Sequence, residues 1–279
     1  MFPALLLSLR EGLEAALIVG IVLGILRKLN RDDLKSSIWL GVFSAVVVSL
    51  VVGGLLTALG SSFEGKVEQV FEGVTMLLAA GVLTWMIFWM NRQGRQFQTK
   101  VESDIRKAVF IKSSRRAIFF LAFFAVVREG IELALFLTAT TFAAQGASVM
   151  VGALVGLGAA LLLGWLLFSA SIRLDVKQFF QVTGVLLILF AAGLVAHGVH
   201  EFNEAGWIPS IIENVYDINP VLDENSTAGV LLKTVFGYNG NPSLTEVIAY
   251  LGYFVLVLLG LRRQNGSMTQ TLPETAHSL

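Results

Sequence analysis

Two copies of an Arg-Glu-Gly-aliphatic-Glu motif carry the residues of this chain that could do chemistry. The first copy spans 10–14 and the second spans 128–132, 118 positions later, and both lie within otherwise apolar stretches. On a helix, the arginine and the two glutamates of each motif fall on one face. A charged group near the centre of a bilayer costs about 2.5 to 3.5 kcal/mol. The six charges must therefore be paired or line a polar path.

The two motifs together supply four carboxylates and two guanidiniums, which predicts an anionic cluster that binds a cation. The predicted metal ligands are Glu11, Glu14, Glu129 and Glu132, with Arg10 and Arg128 as supporting charges. The alternative is that the Arg–Glu pairs are salt bridges that join helices. That arrangement would leave two carboxylates without a guanidinium, and ionisable groups within membranes are functional by default. We therefore favour the metal site.

The elements that must position these motifs are membrane-spanning helices. Of the 279 residues, 55% are hydrophobic and 14% are charged, and the mean hydropathy is +0.75. This composition predicts an all-α integral membrane protein without a soluble domain. The chain has no cysteine, which excludes disulfides and thiolate ligands. Seven apolar runs predict seven transmembrane helices, at about 3–27, 37–59, 69–91, 117–144, 149–172, 178–200 and 244–261.

The distribution of Lys and Arg predicts the orientation of the helices. The basic segment 92–116 and the other basic loops should lie in the cytoplasm, whereas the acidic loop 201–243 should lie outside. All the loops fit an N-terminus outside and a C-terminus inside. The longest polar segment, 201–243, can hold one short helix but no core of its own.

An inverted repeat follows from the position of the motifs in the first and fourth helices. Three helices per unit make these two helices run in opposite directions, as in secondary transporters. Weaker echoes support the repeat, since Gly41 and Gly53 recur 111 positions later as Gly152 and Gly164. The predicted units are a first three-helix repeat at 1–92, a basic cytoplasmic loop at 93–116, an inverted three-helix repeat at 117–200, an acidic outer loop at 201–243, a seventh helix at 244–263 and a cytoplasmic tail at 264–279.

An outer vestibule is predicted at the ends of the third and sixth helices. The third helix begins with Glu64, Glu68 and Glu72, and we expect Glu72 to matter most because it lies deepest. The sixth helix ends with four possible ligands on one face: His197, His200, Glu201 and Glu204. We include Glu72, His200, Glu201 and Glu204 among the predicted metal ligands. The alternative is that these are solvated helix ends, with His197 hydrogen-bonded in the core.

Two further patterns have simpler interpretations. His200-Glu201 begins a zinc-protease pattern, but Glu204 stands where that pattern needs a second histidine. The run Trp85-Met86-x-x-Trp89-Met90 has the composition of a methionine-rich metal path. An interfacial aromatic belt with apolar filling is the preferred interpretation of that run.

The motif pair resembles the iron permease family of the bacterial EfeU and fungal oxidase-coupled type. The seven helices, the acidic start of the third helix and Glu204-Ala205-Gly206 add to the resemblance. It implies that the four motif glutamates bind iron. The outer Glu-x-x-Glu pattern of that family is not kept, because the spacing here is Glu68-x-x-x-Glu72.

The resemblance also implies a function and a setting. We expect a permease and not an enzyme, which imports iron in the ferric form across the bacterial cytoplasmic (inner) membrane. Iron would be its transported substrate, with no cofactor. Membrane lipid surrounds it, and the implied partners are a periplasmic iron-binding protein and an oxidase or peroxidase-like protein, with no nucleic acid.

Two alternatives remain open from the residues themselves. Carboxylate oxygens suit hard cations in general, so the chain could be a permease for another cation such as lead or manganese. It could also be an intramembrane metalloenzyme that uses His200 and Glu201.

Overall fold

The computed structural model describes residues 1–93, 114–143, 146–169, 176–224 and 226–269, and the regular structure in these ranges is helical. A 3₁₀ turn at Asp32–Leu34 joins the first two helices. These ranges contain seven long helices and one short helix, α7. The helices are α1 Phe2–Lys28, α2 Lys35–Gly60, α3 Lys66–Gln93, α4 Ser114–Ala143, α5 Gly146–Ser169, α6 Val176–Glu204, α7 Thr227–Phe236 and α8 Leu244–Thr269.

Five of the long helices, α2, α3, α5, α6 and α8, are long and apolar enough to cross a membrane. Many of their apolar side chains face outward, as Phe43 and Leu50 do on α2, which are 68% and 71% exposed. Helices α1 and α4 are also long, with 27 and 30 residues. They differ from the five because each carries the three charges of one motif. The chain is a multi-pass membrane protein.

The packing of the helices relates α1–α3 to α4–α6. The most extensive contacts join α1 to α5, α2 to α4 and α3 to α6. Where α2 meets α4, a Cβ at Gly41 would lie 3.2 Å from the Cβ of Ala122. Where α5 meets α1, a Cβ at Gly152 would lie 3.3 Å from the Cβ of Ala4. Gly152 follows Gly41 by 111 residues, and Ala122 follows Ala4 by 118 residues. These are the spacings of the repeats in the sequence. The same offsets relate two more contacts, Gly53 with Ala134 and Gly164 with Ala16.

The segment between α6 and α8 folds back onto the bundle. The side chain of Ser226 caps α7 by accepting a hydrogen bond from the backbone N–H of Gly229 at 3.0 Å. The helix ends at Gly237, which adopts a φ of +67°. Gly237 packs directly against Gly193 of α6, where neither residue has a Cβ to hold the backbones apart. This segment therefore has one short helix, as the sequence predicts, and that helix is packed against a long one.

Two helix ends lie furthest from the sequence prediction. Helix α6 continues to Glu204, four residues beyond the predicted 200, and α8 continues to Thr269 instead of ending at 263. Charged and polar residues end an apolar run, but most of them, Arg, Glu and Gln among them, are good helix formers. Most of the predicted basic loop, 94–113, and the end of the predicted tail, 270–279, lie outside the described residues.

Candidate metal centre

Both motifs lie on helices that approach their neighbours closely through the motif glycine. A Cβ added to Gly12 would lie 2.8 Å from the Cβ of Ala160 on α5. A Cβ added to Gly130 would overlap the side chain of Ser49 on α2. The partner positions, Ser49 and Ala160, are again 111 residues apart. The glycines let the backbone of each motif lie directly against the neighbouring helix. This contact fixes the backbone positions from which the flanking glutamate side chains extend.

Three of the motif carboxylates converge on one point. One oxygen from each of Glu11, Glu14 and Glu129 lies within 4.8 Å of the others. Glu11 is 1% exposed and Glu129 is 5% exposed. Buried carboxylates this close repel one another strongly in a medium of low dielectric constant. A cation between them would remove that repulsion and replace the lost hydration.

The fourth glutamate belongs to the same cluster but is paired with an arginine. The Nε of Arg128 donates a hydrogen bond of 2.8 Å to Oε1 of Glu132. In the first motif, the Nε of Arg10 lies 3.3 Å from Oε1 of Glu14, which is ion-pair distance without hydrogen-bond alignment. Glu132 is close enough for its charge to act on both Glu11 and Glu14. All four predicted motif ligands therefore lie together.

The described residues leave many polar atoms of this cluster without a hydrogen-bond partner. Eight buried side-chain atoms have none, and seven of them belong to the motifs: Nε and Nη1 of Arg10, both carboxylate oxygens of Glu11, Oε1 of Glu14, Oε2 of Glu129 and Oε2 of Glu132. The eighth is the hydroxyl of Ser8, one turn before Glu11. Buried polar groups in proteins are nearly always satisfied. Unsatisfied carboxylate oxygens this close together are the kind of donor set that a cation site needs.

The salt-bridge alternative does not fit this geometry. Both Arg–Glu pairs are formed within one helix, between residues four apart, so neither pair joins one helix to another. Across the described ranges, neither Glu11 nor Glu129 forms an ion pair. Pairing therefore does not explain why Glu11 and Glu129 are buried here.

A second acidic group lies where the start of α3 meets the end of α6. The two helices touch at Gly73, whose Cβ would lie 2.9 Å from the carbonyl oxygen of Gly198. We call this group the acidic end and define it as Glu68, Glu72, Glu201 and Glu204. Their charges act on one another. The predicted outer ligands Glu72, Glu201 and Glu204 are thus brought together. Glu64 is exposed and lies in the chain before the start of α3.

His200 connects the acidic end to α8. Its Nε2 lies 3.2 Å from Oε1 of Glu204, and its Nδ1 lies 3.0 Å from Oε1 of Glu246. Both ring nitrogens therefore lie within 3.2 Å of a carboxylate oxygen. His197 fits the simpler interpretation, because its Nδ1 lies 3.0 Å from the carbonyl oxygen of Gly193 within its own helix.

Sequence reasoning missed Glu246. It is 4% exposed and accepts hydrogen bonds from Asn239 and Ser243 as well as from His200. A signal was present, since Ser243-x-x-Glu246 before an apolar run is a capping box. The structure shows that box, with the backbone N–H of Ser243 donating to Glu246 at 3.2 Å and that of Glu246 pointing to the Ser243 hydroxyl at 3.3 Å.

A polar cavity of about 360 Å³ lies between the end of α6, the start of α8 and the segment that joins them. Its walls include both charged and amide side chains. The charged or ionisable lining residues are His197, His200, Glu204, Glu213, Glu224, Lys233 and Glu246. His200 and Glu204 line this cavity, whereas Glu201 does not. The cavity is large enough to admit a hydrated cation.

The aromatic and methionine residues of α3 contact the motif arginines. The guanidinium of Arg128 lies over the rings of Trp85 and Trp89, and Nη2 of Arg10 donates to the Sδ of Met90. The aromatic-belt interpretation of this run is therefore incomplete. Local sequence could not reveal these contacts, because they join helices that are far apart in the chain.

Comparison with known proteins identifies the family. A model of the iron permease FTR1 family matches residues 1–264. The chain belongs to the FTR1 iron permease family. The ferrous iron permease EfeU of Escherichia coli O6:K15:H31 is 35% identical over 260 residues, which is 93% of this chain and 94% of the relative. The ferrous iron permease EfeU of Yersinia pestis is 33% identical over 262 residues, 93% and 92% of the two chains. No solved structure matches the chain.

Membership of the FTR1 family confirms the resemblance seen in the motifs. It also makes the protein a permease and not an enzyme.

Proposed function

We propose that this FTR1 family protein imports iron and that the four motif glutamates bind the iron during transport. The observation that carries this proposal is the buried cluster in which Glu11, Glu14 and Glu129 converge within 4.8 Å. Five carboxylate oxygens of the four motif glutamates have no hydrogen-bond partner among the described residues. A cation is the ligand that such a site lacks.

The donor set favours hard cations, and the family supplies the identity of the metal. Carboxylates without thiolates accommodate iron, manganese, magnesium and calcium. The relatives are named as ferrous iron permeases, whereas the expectation from the sequence is ferric iron. Manganese or lead in place of iron is the remaining alternative, and competition between metals in one uptake assay decides it.

The proposed route begins at the acidic end and the polar cavity beside it, which concentrate cations. The ion then passes to the motif cluster and leaves at the opposite end of the bundle. The glycine contacts between α1 and α5 and between α2 and α4 support an inverted repeat, in which two similar units rock about a central site. An inside-negative potential would assist entry by about 2.3 kcal/mol per charge per 100 mV.

The setting is proposed from the family and the charge distribution. We place the protein in the bacterial inner membrane, with the acidic end outside. No cofactor is needed beyond the transported ion. A periplasmic iron-binding protein and an oxidase or peroxidase-like protein are the proposed partners.

Uptake of radioactive iron tests the proposal in a strain without its own iron importers. Cells that express the protein should accumulate iron, and cells that express Glu11→Gln at the same level should not. The assay is run with ferrous iron under ascorbate and with ferric citrate, which separates the two oxidation states. Equal accumulation by the wild type and the Gln variant would refute the role of the cluster.

A further inference from the structure

The motif arginines are held by residues outside the motifs. The guanidinium carbon of Arg128 lies 4.9 Å from the ring centroid of Trp89 and 5.6 Å from that of Trp85. The two tryptophans are one turn apart on α3, so their side chains lie on the same face. We call Trp85 and Trp89 the aromatic clamp. Arg128 thus makes one hydrogen bond to Glu132 and directs the rest of its guanidinium towards two indole rings.

Arg10 is held in a similar way by different atoms. Its Nη2 lies 2.7 Å from the Sδ of Met90, and its guanidinium lies 5.9 Å from the ring centroid of Phe180. Met90 is near the end of α3 and Phe180 is near the start of α6, so these contacts lie at the end of α3 opposite to the acidic end. Both arginines are therefore anchored on the same side of the carboxylate cluster.

These anchors matter because better partners are close by. Nε and Nη1 of Arg10 and both oxygens of Glu11 are buried without partners among the described residues. A guanidinium gains more from a carboxylate than from a ring or a thioether, particularly as a bidentate pair. For Arg10, a rotation of the guanidinium towards the cluster would bring unsatisfied donors and acceptors together. The aromatic and thioether contacts oppose that rotation.

We infer that the aromatic clamp keeps the guanidinium of Arg128 away from Glu11, Glu14 and Glu129, and so sets the affinity of the carboxylate site for its cation. Trp85 and Trp89 are positioning residues that act through Arg128. The inference rests on the proposed function, since it takes the carboxylate cluster to be the cation site. Met90 and Phe180 do the same for Arg10.

The strength of the clamp suits this role. A single cation–π contact is a weak interaction and is strongest for tryptophan. Two such contacts can hold an arginine off a carboxylate while the site is being filled. They are weak enough to be broken when the arginine moves during transport.

Binding of Mn²⁺ to the purified wild-type protein and its variants tests the inference. Mn²⁺ is an oxygen-seeking cation that does not change oxidation state here, and free Mn²⁺ is counted by its electron paramagnetic resonance signal. The Trp85→Leu/Trp89→Leu variant should bind Mn²⁺ with a Kd about tenfold higher, because the freed guanidinium competes for the carboxylates. The Trp85→Phe/Trp89→Phe variant keeps a weaker ring and should lie between the two.

Two further measurements separate positioning from structure. Trp39 on α2 is 57% exposed, close to the 55% of Trp85, so Trp39→Leu removes a comparable indole and should leave the Kd unchanged. In an Arg128→Gln background, the clamp substitutions should have no further effect on the Kd, because the group that they position is gone.

The outcomes distinguish the aromatic clamp from the carboxylate site. An unchanged Kd in the Leu variant, or an equal rise in the Arg128→Gln background, would overturn the clamp. If the Leu variant does not fold, the Phe variant decides, and a wild-type Kd for that variant counts against the clamp. Mn²⁺ binding that survives in Glu11→Gln/Glu14→Gln would refute the carboxylate site itself. Absence of binding in the wild type would refute the site and the clamp together.

Discussion

The motif cluster and the start of α8 each contain a buried glutamate, but the hydrogen-bonding capacity of one is unused and that of the other is filled. In the motif cluster, Glu11 is 1% exposed and neither of its oxygens has a partner in the described ranges. Beside the acidic end, Glu246 is equally deep at 4% exposed, yet it accepts hydrogen bonds from a histidine, a serine and an asparagine. Burial alone therefore does not identify a metal ligand. A buried carboxylate that lacks partners is available to a cation, whereas a saturated one is part of the fold.

Glu204 represents a third state. It is 52% exposed and is shared between His200 at 3.2 Å and Gln69, which donates to it at 2.9 Å. Exposed charges interact weakly because water and salt screen them. Glu204 can attract a cation without holding it. The comparison therefore predicts large effects in the cluster and small ones at the acidic end.

The largest effect is expected from glutamine at the cluster. Glu129→Gln keeps the size of the side chain and removes one negative charge from the three-carboxylate group. Loss of a supporting group around a metal costs roughly 10- to 100-fold in affinity, and loss of a ligand should cost more. We expect no measurable iron uptake at a near-normal protein level, determined by uptake together with immunoblotting. Uptake at the wild-type level by this variant would show that Glu129 is not a ligand of the metal site.

A methyl group at the motif glycine should also have a large effect, through packing. The Cβ in Gly12→Ala would lie 2.8 Å from the Cβ of Ala160. Overpacking of this kind costs about 1 to 3 kcal/mol, so the melting temperature and uptake should both fall. Gly24→Ala is the matched control on the same helix, because nothing lies within 4 Å of its added Cβ. The double variant Gly12→Ala/Ala160→Gly should recover, and failure to recover would contradict the close contact.

A smaller effect is expected at the acidic end. His200→Ala and Glu204→Ala should raise the apparent KM for iron by about fivefold, the upper range for an exposed charge interaction. The maximal rate should change little, because capture is weakened and the cluster is intact. Initial rates over a range of iron concentrations measure both quantities. A complete loss of transport by His200→Ala at normal protein level would contradict this division, because it would show that His200 acts in the central site.

The smallest effect on transport is expected at Glu246. Glu246→Gln breaks the capping box at the start of α8 and removes the charge partner of His200. Loss of a helix cap costs about 1 kcal/mol, so the melting temperature should fall while the KM for iron stays close to that of the wild type. Glu64→Gln changes an exposed glutamate before α3 and should alter neither quantity. A defect in iron binding without a loss of stability would make Glu246 a ligand.

Sequence was sufficient for the features that depend on local pattern. The seven apolar runs located the seven long helices to within a few residues at most ends. The spacing of Glu11 and Glu14 predicts that their carboxylates share one face of a helix, and the two side chains do converge. The repeated motif indicated that Glu129 would join them, since two charged helices in one membrane protein have few other ways to shield their charge.

Sequence was insufficient where the outcome depends on contacts between distant helices. Trp85 and Trp89 have the composition of an interfacial belt, and only the approach of α4 to α3 shows that they contact Arg128. The bond between His200 and Glu246 depends on the way in which the segment before α8 folds back. Periodicity reports which face of a helix is polar and does not report which neighbour that face meets.

Simultaneous replacement of Arg10 and Glu14 by glutamine tests the central claim most directly. The Arg10→Gln/Glu14→Gln variant removes one charge of each sign, so the net charge of the buried cluster is unchanged. A structural ion pair would tolerate this exchange, because neither partner is left alone in a medium of low dielectric constant. Glu14→Gln alone is measured beside it, with protein level as the control. If Glu14 is an iron ligand, the double variant reaches the membrane and imports no iron; recovery of uptake in that variant would contradict the assignment.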